Sequence, residues 1–85
     1  MRVWFSTHLR AYTGSDTAEL DAGTLAAALD ELERRHPGLR FRIVDEQDRI
    51  RQHIAVFLNK QQVHDLATPL SPSDGLRIIG ALSGG

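Results

Sequence analysis

The chain ends in Ser83-Gly84-Gly85, and this tail offers the clearest chemistry in the sequence. Gly85 carries the α-carboxylate, and two consecutive glycines remove the β-carbons beside it. Without Cβ, a backbone passes through channels closed to other residues and takes φ angles they rarely adopt. Such a tail can deliver its carboxylate into the active site of another protein, with Gly85 as the reacting residue and Gly84 as the residue that lets it pass. At a glycine usage of about 7%, two terminal glycines arise by chance in roughly one chain in two hundred. What precedes them therefore decides whether the pair is more than chance.

The other chemistry-bearing side chains form no comparable constellation. His8, His36, His53 and His64 include no i, i+4 helical pair and no acidic-histidine motif, so no metal site is expected. His36 falls at the end of a helical segment, where the helix dipole alone favours it. Ser6, Ser15, Ser71, Ser73 and Ser83 lack the context of a nucleophile elbow. Glu19 with Asp21, and the run Asp45-Glu46 with Asp48, read as solvated faces. A catalytic carboxylate pair needs burial to set its two pKa values apart.

Composition bounds the rest. Eighty-five residues make one domain with a single core. At 41% apolar and 25% charged residues, the chain falls in the globular class and outside the disordered one. Its net charge is −1 and its basic residues are scattered, so no nucleic-acid partner is expected. There is no cysteine, which excludes disulfides, zinc-thiolate sites and a thiol nucleophile. No run approaches the ~20 apolar residues of a membrane span, so a cytoplasmic, reducing location with no membrane partner is expected.

The elements that must position the tail follow from periodicity. Val3, Phe5 and Thr7 alternate with Arg2, Trp4 and Ser6, a period of two that predicts a first strand. After the turn cluster Tyr12-Thr13-Gly14-Ser15, the alternation of Ala18, Leu20 and Ala22 with Thr17, Glu19 and Asp21 predicts a second strand, hairpin-paired with the first by a short loop. From Thr24, a predicted N-cap, the period becomes helical: Leu25, Ala28, Leu29 and Leu32 form one stripe. Asp30 with Arg34, and Glu31 with Arg35, place an acid four residues before a base. His36-Pro37-Gly38 ends the helix.

Leu39, Phe41, Ile43 and Val44 suit either a short helix or an irregular strand, and Asp45 to Asp48 form a polar turn. Ile54 to Leu58 is the strongest β run, Val63 belongs to a short edge strand, and Leu76 to Ile79 is the last strand. One amphipathic helix among these strands predicts an α+β fold of the β-grasp type, a mixed four- to five-stranded sheet packed on one main helix. Because the chain returns to the same sheet after the helix, the strands flanking it should run parallel. The domain is expected to span residues 1–82, with 83–85 as a flexible tail.

The first strand, the helix from Thr24-Leu25, the segment Ile54-Ala55-Val56-Phe57-Leu58-Asn59 and the stretch from Leu70 through Asp74-Gly75 to Ile79, ending in Gly84-Gly85, resemble the ThiS/MoaD family of ubiquitin-like sulfur carriers. The insert between helix and third strand is similar to the MoaD-like and CysO-like branches. The chain departs from the family pattern at Lys60, where glycine is usual, at Leu76, where an acid often follows Asp-Gly, at Gly80, where proline is common, and at Ser83, which replaces alanine.

The resemblance implies a protein cosubstrate rather than an enzyme. An adenylating enzyme using ATP and magnesium would convert the Gly85 carboxylate to an acyl-adenylate, and sulfide or a sulfur donor protein would displace AMP. The resulting thiocarboxylate would serve a downstream sulfur-accepting synthase in making molybdopterin, thiamine, cysteine or a related thio-metabolite. No cofactor bound to the carrier itself is implied. A protein modifier, joined to lysines through Gly85, and a β-grasp binding domain with an idle tail are the alternatives.

Geometry at the level of sequence agrees. The six residues after Ile79 span up to roughly 20 Å when extended. If Val3, Phe5, Ile54, Val56, Leu58, Leu76 and Ile78 face the helix, then Trp4, Phe57 and Ile79 point away from it and cluster. With Leu82 they form the expected partner-binding surface. The tail is expected to be poorly packed beyond about Leu82.

Overall fold

The structure, a computed structural model, describes residues 1–80. The expectations for the domain boundary at Leu82 and for the packing of the tail lie outside the described residues.

Strand β1 (Arg2–Phe5) buries Val3 and Phe5 and turns Arg2 and Trp4 outward. It pairs antiparallel with β2 (Thr17–Glu19) and parallel with β5 (Gly75–Gly80). Beyond β5 lie β3 (Ile54–Leu58) and β4 (Gln61–Val63), both antiparallel to their neighbours, which gives the order β2-β1-β5-β3-β4. The last strand in sequence is therefore the central strand of the sheet. The strands on either side of the main helix, β2 and β3, do run in the same direction, but β1 and β5 separate them. The parallel hydrogen-bonded pair is β1 with β5.

The connection from β1 to β2 is not the short loop that alternation predicts. Thr7, expected to extend the first strand, begins a 3-10 turn (Thr7–Leu9) that leads into α1 (Arg10–Thr13). The reason is packing: Leu9 is buried and Tyr12 packs against the core, an i, i+3 spacing that only a helical turn can aim inward. Gly14 closes α1 at φ +73°, its N–H donating to the Arg10 carbonyl at 2.8 Å.

Helix α2 (Leu25–Arg35) follows its stripe, with Leu25, Ala28, Leu29 and Leu32 fully buried. Thr24 Oγ1 accepts the Ala27 N–H at 3.2 Å. Two more first-turn amides, those of Leu25 and Ala26, donate to the Thr68 and Leu66 carbonyls, so the loop before β5 helps to cap the helix. Each buried leucine contributes about 1.5–3 kcal/mol through lost water contact.

The ambiguous segment after Gly38 is helical. In α3 (Leu39–Ile43), Leu39 and Ile43 are buried with Val44, while Phe41 is 57% exposed. A strand would have put Leu39, Phe41 and Ile43 on one face. The Glu33 carboxylate accepts the Gly38 and Arg40 amides at 2.9 Å each, tying the end of α2 to the start of α3. Those two bonds hold the Glu33 carboxyl below its ordinary value.

Of the two helical ion pairs expected, Glu31 with Arg35 forms and Asp30 with Arg34 does not. Glu31 takes both Arg34 and Arg35. Asp30 pairs instead with Arg40 of α3, at 3.2 Å, because the two helices pack together.

Candidate functional site

Two features built on β5 bear on the chemistry suggested by the tail: an outward sheet face and the end of the strand at Gly80. Alternation sets the face. Leu76 and Ile78 point into the core, so Arg77 and Ile79 point out, and Ile79 is 41% exposed. Trp4 and Phe57 are half-buried.

The register gives their arrangement. Trp4 of β1 and Phe57 of β3 are both partnered with Arg77 of β5, and Ile79 is partnered with Ala55. The two aromatic residues are thus two strands apart, roughly 10 Å, with Arg77 between them. The Arg77 guanidinium lies 4.8 Å from the centroid of the Trp4 ring, a cation–π contact. The face is a row of Trp4, Arg77 and Phe57 with Ile79 beside it, and Arg77 is the member that apolar patterning misses. Its signal was available, since it shares the parity of Ile79. Leu82, Gly84 and Gly85, the remaining residues assigned to the site, lie outside the described residues.

Asn59 and Asp74 hold β5 in this register. Asn59 takes a left-handed backbone, φ +57°, which asparagine tolerates better than most residues. Its N–H donates to the Gly75 carbonyl at 2.7 Å, and its side-chain oxygen accepts the Gly75 N–H at 3.0 Å. Asn59 Nδ2 donates to Asp74 Oδ1 at 3.1 Å, while Ser71 N–H donates to Asp74 Oδ2 at 2.9 Å. The Asn59 amide first, and then the Ser71 amide, hold the Asp74 carboxyl below its ordinary value. The Asn and Asp-Gly positions are therefore a clasp between the end of β3 and the start of β5.

At the other end of β5, Ser6 bonds to Ile78 and Gly80. The Ser6 N–H donates to the Ile78 carbonyl at 3.1 Å, and Ser6 Oγ accepts the Gly80 N–H at 2.9 Å. Beside Gly80 opens a groove of about 460 Å³, walled by the 3-10 turn, α3 and the segment before β3. His8 and His53 both line it, whereas His36 is the C-cap residue of α2 and His64 is exposed. Among the described residues no group of three metal-ligating side chains assembles, and no helix is long and apolar enough to cross a membrane.

Comparison with known proteins gives this geometry a context. The ThiS family model matches residues 3–85. A chain in the crystal structure of the Amycolatopsis orientalis BexX/CysO complex is 31% identical, with a TM-score of 0.89 over 99% of this chain and 98% of that one. SAMP1 from Haloferax volcanii is 28% identical, with a TM-score of 0.83 over 99% and 97% of the two chains. Mycobacterium tuberculosis CysO is 25% identical, with a TM-score of 0.87 over 95% and 98%. No curated protein matches the sequence. Family members are small ubiquitin-like carrier proteins rather than enzymes, and the β-grasp fold and the match through Gly85 point the same way: the chain belongs to the ThiS family of ubiquitin-like sulfur carriers and modifiers.

Proposed function

We propose that the protein is a sulfur carrier whose Gly85 carboxylate is adenylated and then converted to a thiocarboxylate. The observation that carries this reading is the extent of the family match, which runs over residues 3–85 and takes in Gly84-Gly85. A carboxylate is a poor acceptor for sulfur, because oxide is not a leaving group. Attack of a Gly85 carboxylate oxygen on the α-phosphorus of ATP expels pyrophosphate and leaves AMP on the acyl carbon. Sulfide then attacks that carbon, the C–O bond to AMP breaks, and the thiocarboxylate remains.

In this scheme the ATP, the magnesium and the catalytic groups belong to the adenylating enzyme, where backbone amides and cations hold the phosphates. The carrier contributes the substrate carboxylate, the slender tail and the docking face of Trp4, Arg77, Phe57 and Ile79. A downstream acceptor takes the sulfur. The similarity to a chain of the BexX/CysO complex supports docking on such a partner protein. The similarity to SAMP1, a small archaeal modifier protein, supports a second reading in which Gly85 is joined to lysines of other proteins.

Intact-mass analysis separates these readings. The full chain is incubated with its adenylating enzyme, ATP, magnesium and sulfide. A carrier gains the mass difference between sulfur and oxygen, and the gain is lost on mild hydrolysis. A modifier appears joined to other chains through an isopeptide bond. A chain that undergoes neither change, while still binding its partner, overturns both.

A further inference from the structure

The groove beside Gly80 has a charge pattern that the sulfur-carrier reading leaves unused. Its charged side chains, Arg42 and Arg51, are both cationic, and no carboxylate lines it among the described residues. Elsewhere five arginines are matched locally: Arg2 with Glu19, Arg34 and Arg35 with Glu31, Arg40 with Asp30 and Asp48, and Arg49 with Asp45, while Arg10 and Arg77 lie outside this groove. Arg42 and Arg51 enter no ion pair among the described residues. They stack instead on aromatic rings, Arg42 at 5.1 Å from the Tyr12 centroid and Arg51 at 4.4 Å from that of Phe41.

Stacking orders a guanidinium while leaving in-plane N–H donors for a carboxylate. Arg51 Nε is further fixed by donating to the Phe41 carbonyl at 2.6 Å. Asp45, whose carboxyl feels the Arg51 charge, instead accepts the Gln47 and Arg49 amides on Oδ1 and faces the Arg49 guanidinium with Oδ2. The ring beneath Arg51 belongs to Phe41, which is 57% exposed and makes the groove partly apolar.

We propose that this groove receives an acidic segment of the protein that takes up the tail, with carboxylates paired to Arg42 and Arg51 and an apolar side chain against Phe41. The proposal deepens the sulfur-carrier reading and rests on it for one point, that a partner covers this end of the molecule. Gly80 lines the groove, so a protein that threads residues 81–85 must sit against its rim. Carboxylates there would complement the two arginines in charge and bidentate geometry. Because the molecule as a whole is slightly anionic, this local cationic end would also orient the carrier tail-first during encounter.

The test has two arms. In the first, the full chain is titrated with a hexaglutamate peptide and followed by NMR through arginine Nε–Hε and aromatic signals, with hexalysine and AMP as controls. Shifts centred on Arg42, Arg51 and Phe41 with hexaglutamate support the proposal. Shifts spread over all basic residues overturn it, as does an equal response to AMP, which would mark a phosphate site. Movement of these signals on deleting Gly84 and Gly85, without peptide, would show that the chain's own terminus is the occupant and also overturn it.

In the second arm, Arg42→Glu, Arg51→Glu and Arg34→Glu carry the same charge change, the last outside the groove. Unfolding temperature checks that each variant folds, and Arg42→Lys serves as a conservative second variant that keeps the charge. With the adenylating enzyme, the two groove variants should lose about tenfold or more in kcat/KM for pyrophosphate exchange, with a flatter salt dependence. Arg34→Glu should change little, and Arg42→Lys should keep the salt dependence. Equal effects of Arg42→Glu and Arg34→Glu overturn the groove assignment while leaving the carrier reading intact. Specific peptide binding by a chain whose tail is never activated supports the groove and sinks the carrier reading instead.

Discussion

The indole of Trp4 lies over the backbone of Gly75, so close that a β-carbon at position 75 would sit 2.9 Å from Trp4 Cζ3. A side chain at position 75 would thus push on a neighbour across the sheet, next to the Asp-Gly turn. Gly75→Ala should displace the Trp4 ring at a cost of about 1 kcal/mol or less, below that of overpacking a core, because the atoms met are the outer edge of a half-buried side chain. Trp4 is the single tryptophan, so its fluorescence reports the displacement directly. An unshifted emission spectrum together with unchanged stability contradicts the account.

Acid should weaken the fold through identifiable carboxyls. Asp74 is held below its ordinary value by Asn59 and Ser71, Glu33 by the Gly38 and Arg40 amides, and Glu31 by Arg34 and then Arg35. A carboxyl with a depressed folded-state pKa binds protons more readily when unfolded. Its contribution is present above the unfolded value and is lost as pH falls through the folded one. The loss therefore begins near the ordinary values of 4.5 for Glu33 and 3.8 for Asp74 and continues below them. Thermal unfolding followed from pH 7 downward should show this decline, and Asp74→Asn should make it shallower.

Loss of the proposed docking face should separate binding from folding. Ile79 is exposed and Phe57 only half-buried, so Phe57→Asp and Ile79→Asp should leave the core intact. Each should weaken binding to the adenylating enzyme by about tenfold or more, the scale of a central interface residue. Arg77→Ala should reduce binding as well, because it removes the cation held against Trp4. Calorimetric binding and unfolding temperature, measured on the same samples, decide the matter. Parallel losses of stability and affinity would return these residues to a structural role.

The tail should respond to changes that leave the domain untouched. Deleting Gly85 places the new carboxylate about 3.5 Å short, whereas near-attack geometry loses about a hundredfold for a 1 Å error. Gly84→Ala adds a methyl group where the tail must be narrowest. Both variants should fold normally and lose pyrophosphate exchange, the deletion more completely. Full activity of the deletion would exclude Gly85 as the acylated residue.

Local patterns in the sequence carry much of the fold. Period two at Val3 and Phe5, and again at Leu76 and Ile78, determines which faces of β1 and β5 are buried, and therefore that Trp4, Phe57 and Ile79 turn away from the helix. Thr24 and the Leu25–Leu32 stripe determine α2, since capping and a 3.6-residue period are short-range properties. Asn59, Asp74 and Gly75 mark the two turns that meet in the clasp.

Where several short-range patterns were compatible, tertiary packing decided among them. Thr7 to Thr13 and Leu39 to Ile43 are helical because Leu9, Tyr12, Leu39 and Ile43 can reach the core only in that form. Asp30 finds Arg40 rather than Arg34 because α3 folds back along α2. The sheet order, with β5 at its centre, puts Arg77 between Trp4 and Phe57 and brings Arg42 and Arg51 beside Gly80. By itself the sequence determines which residues are candidates for chemistry, because residue type and period are local. Which of them become neighbours is decided only by the tertiary structure, because strand order joins residues far apart in the chain.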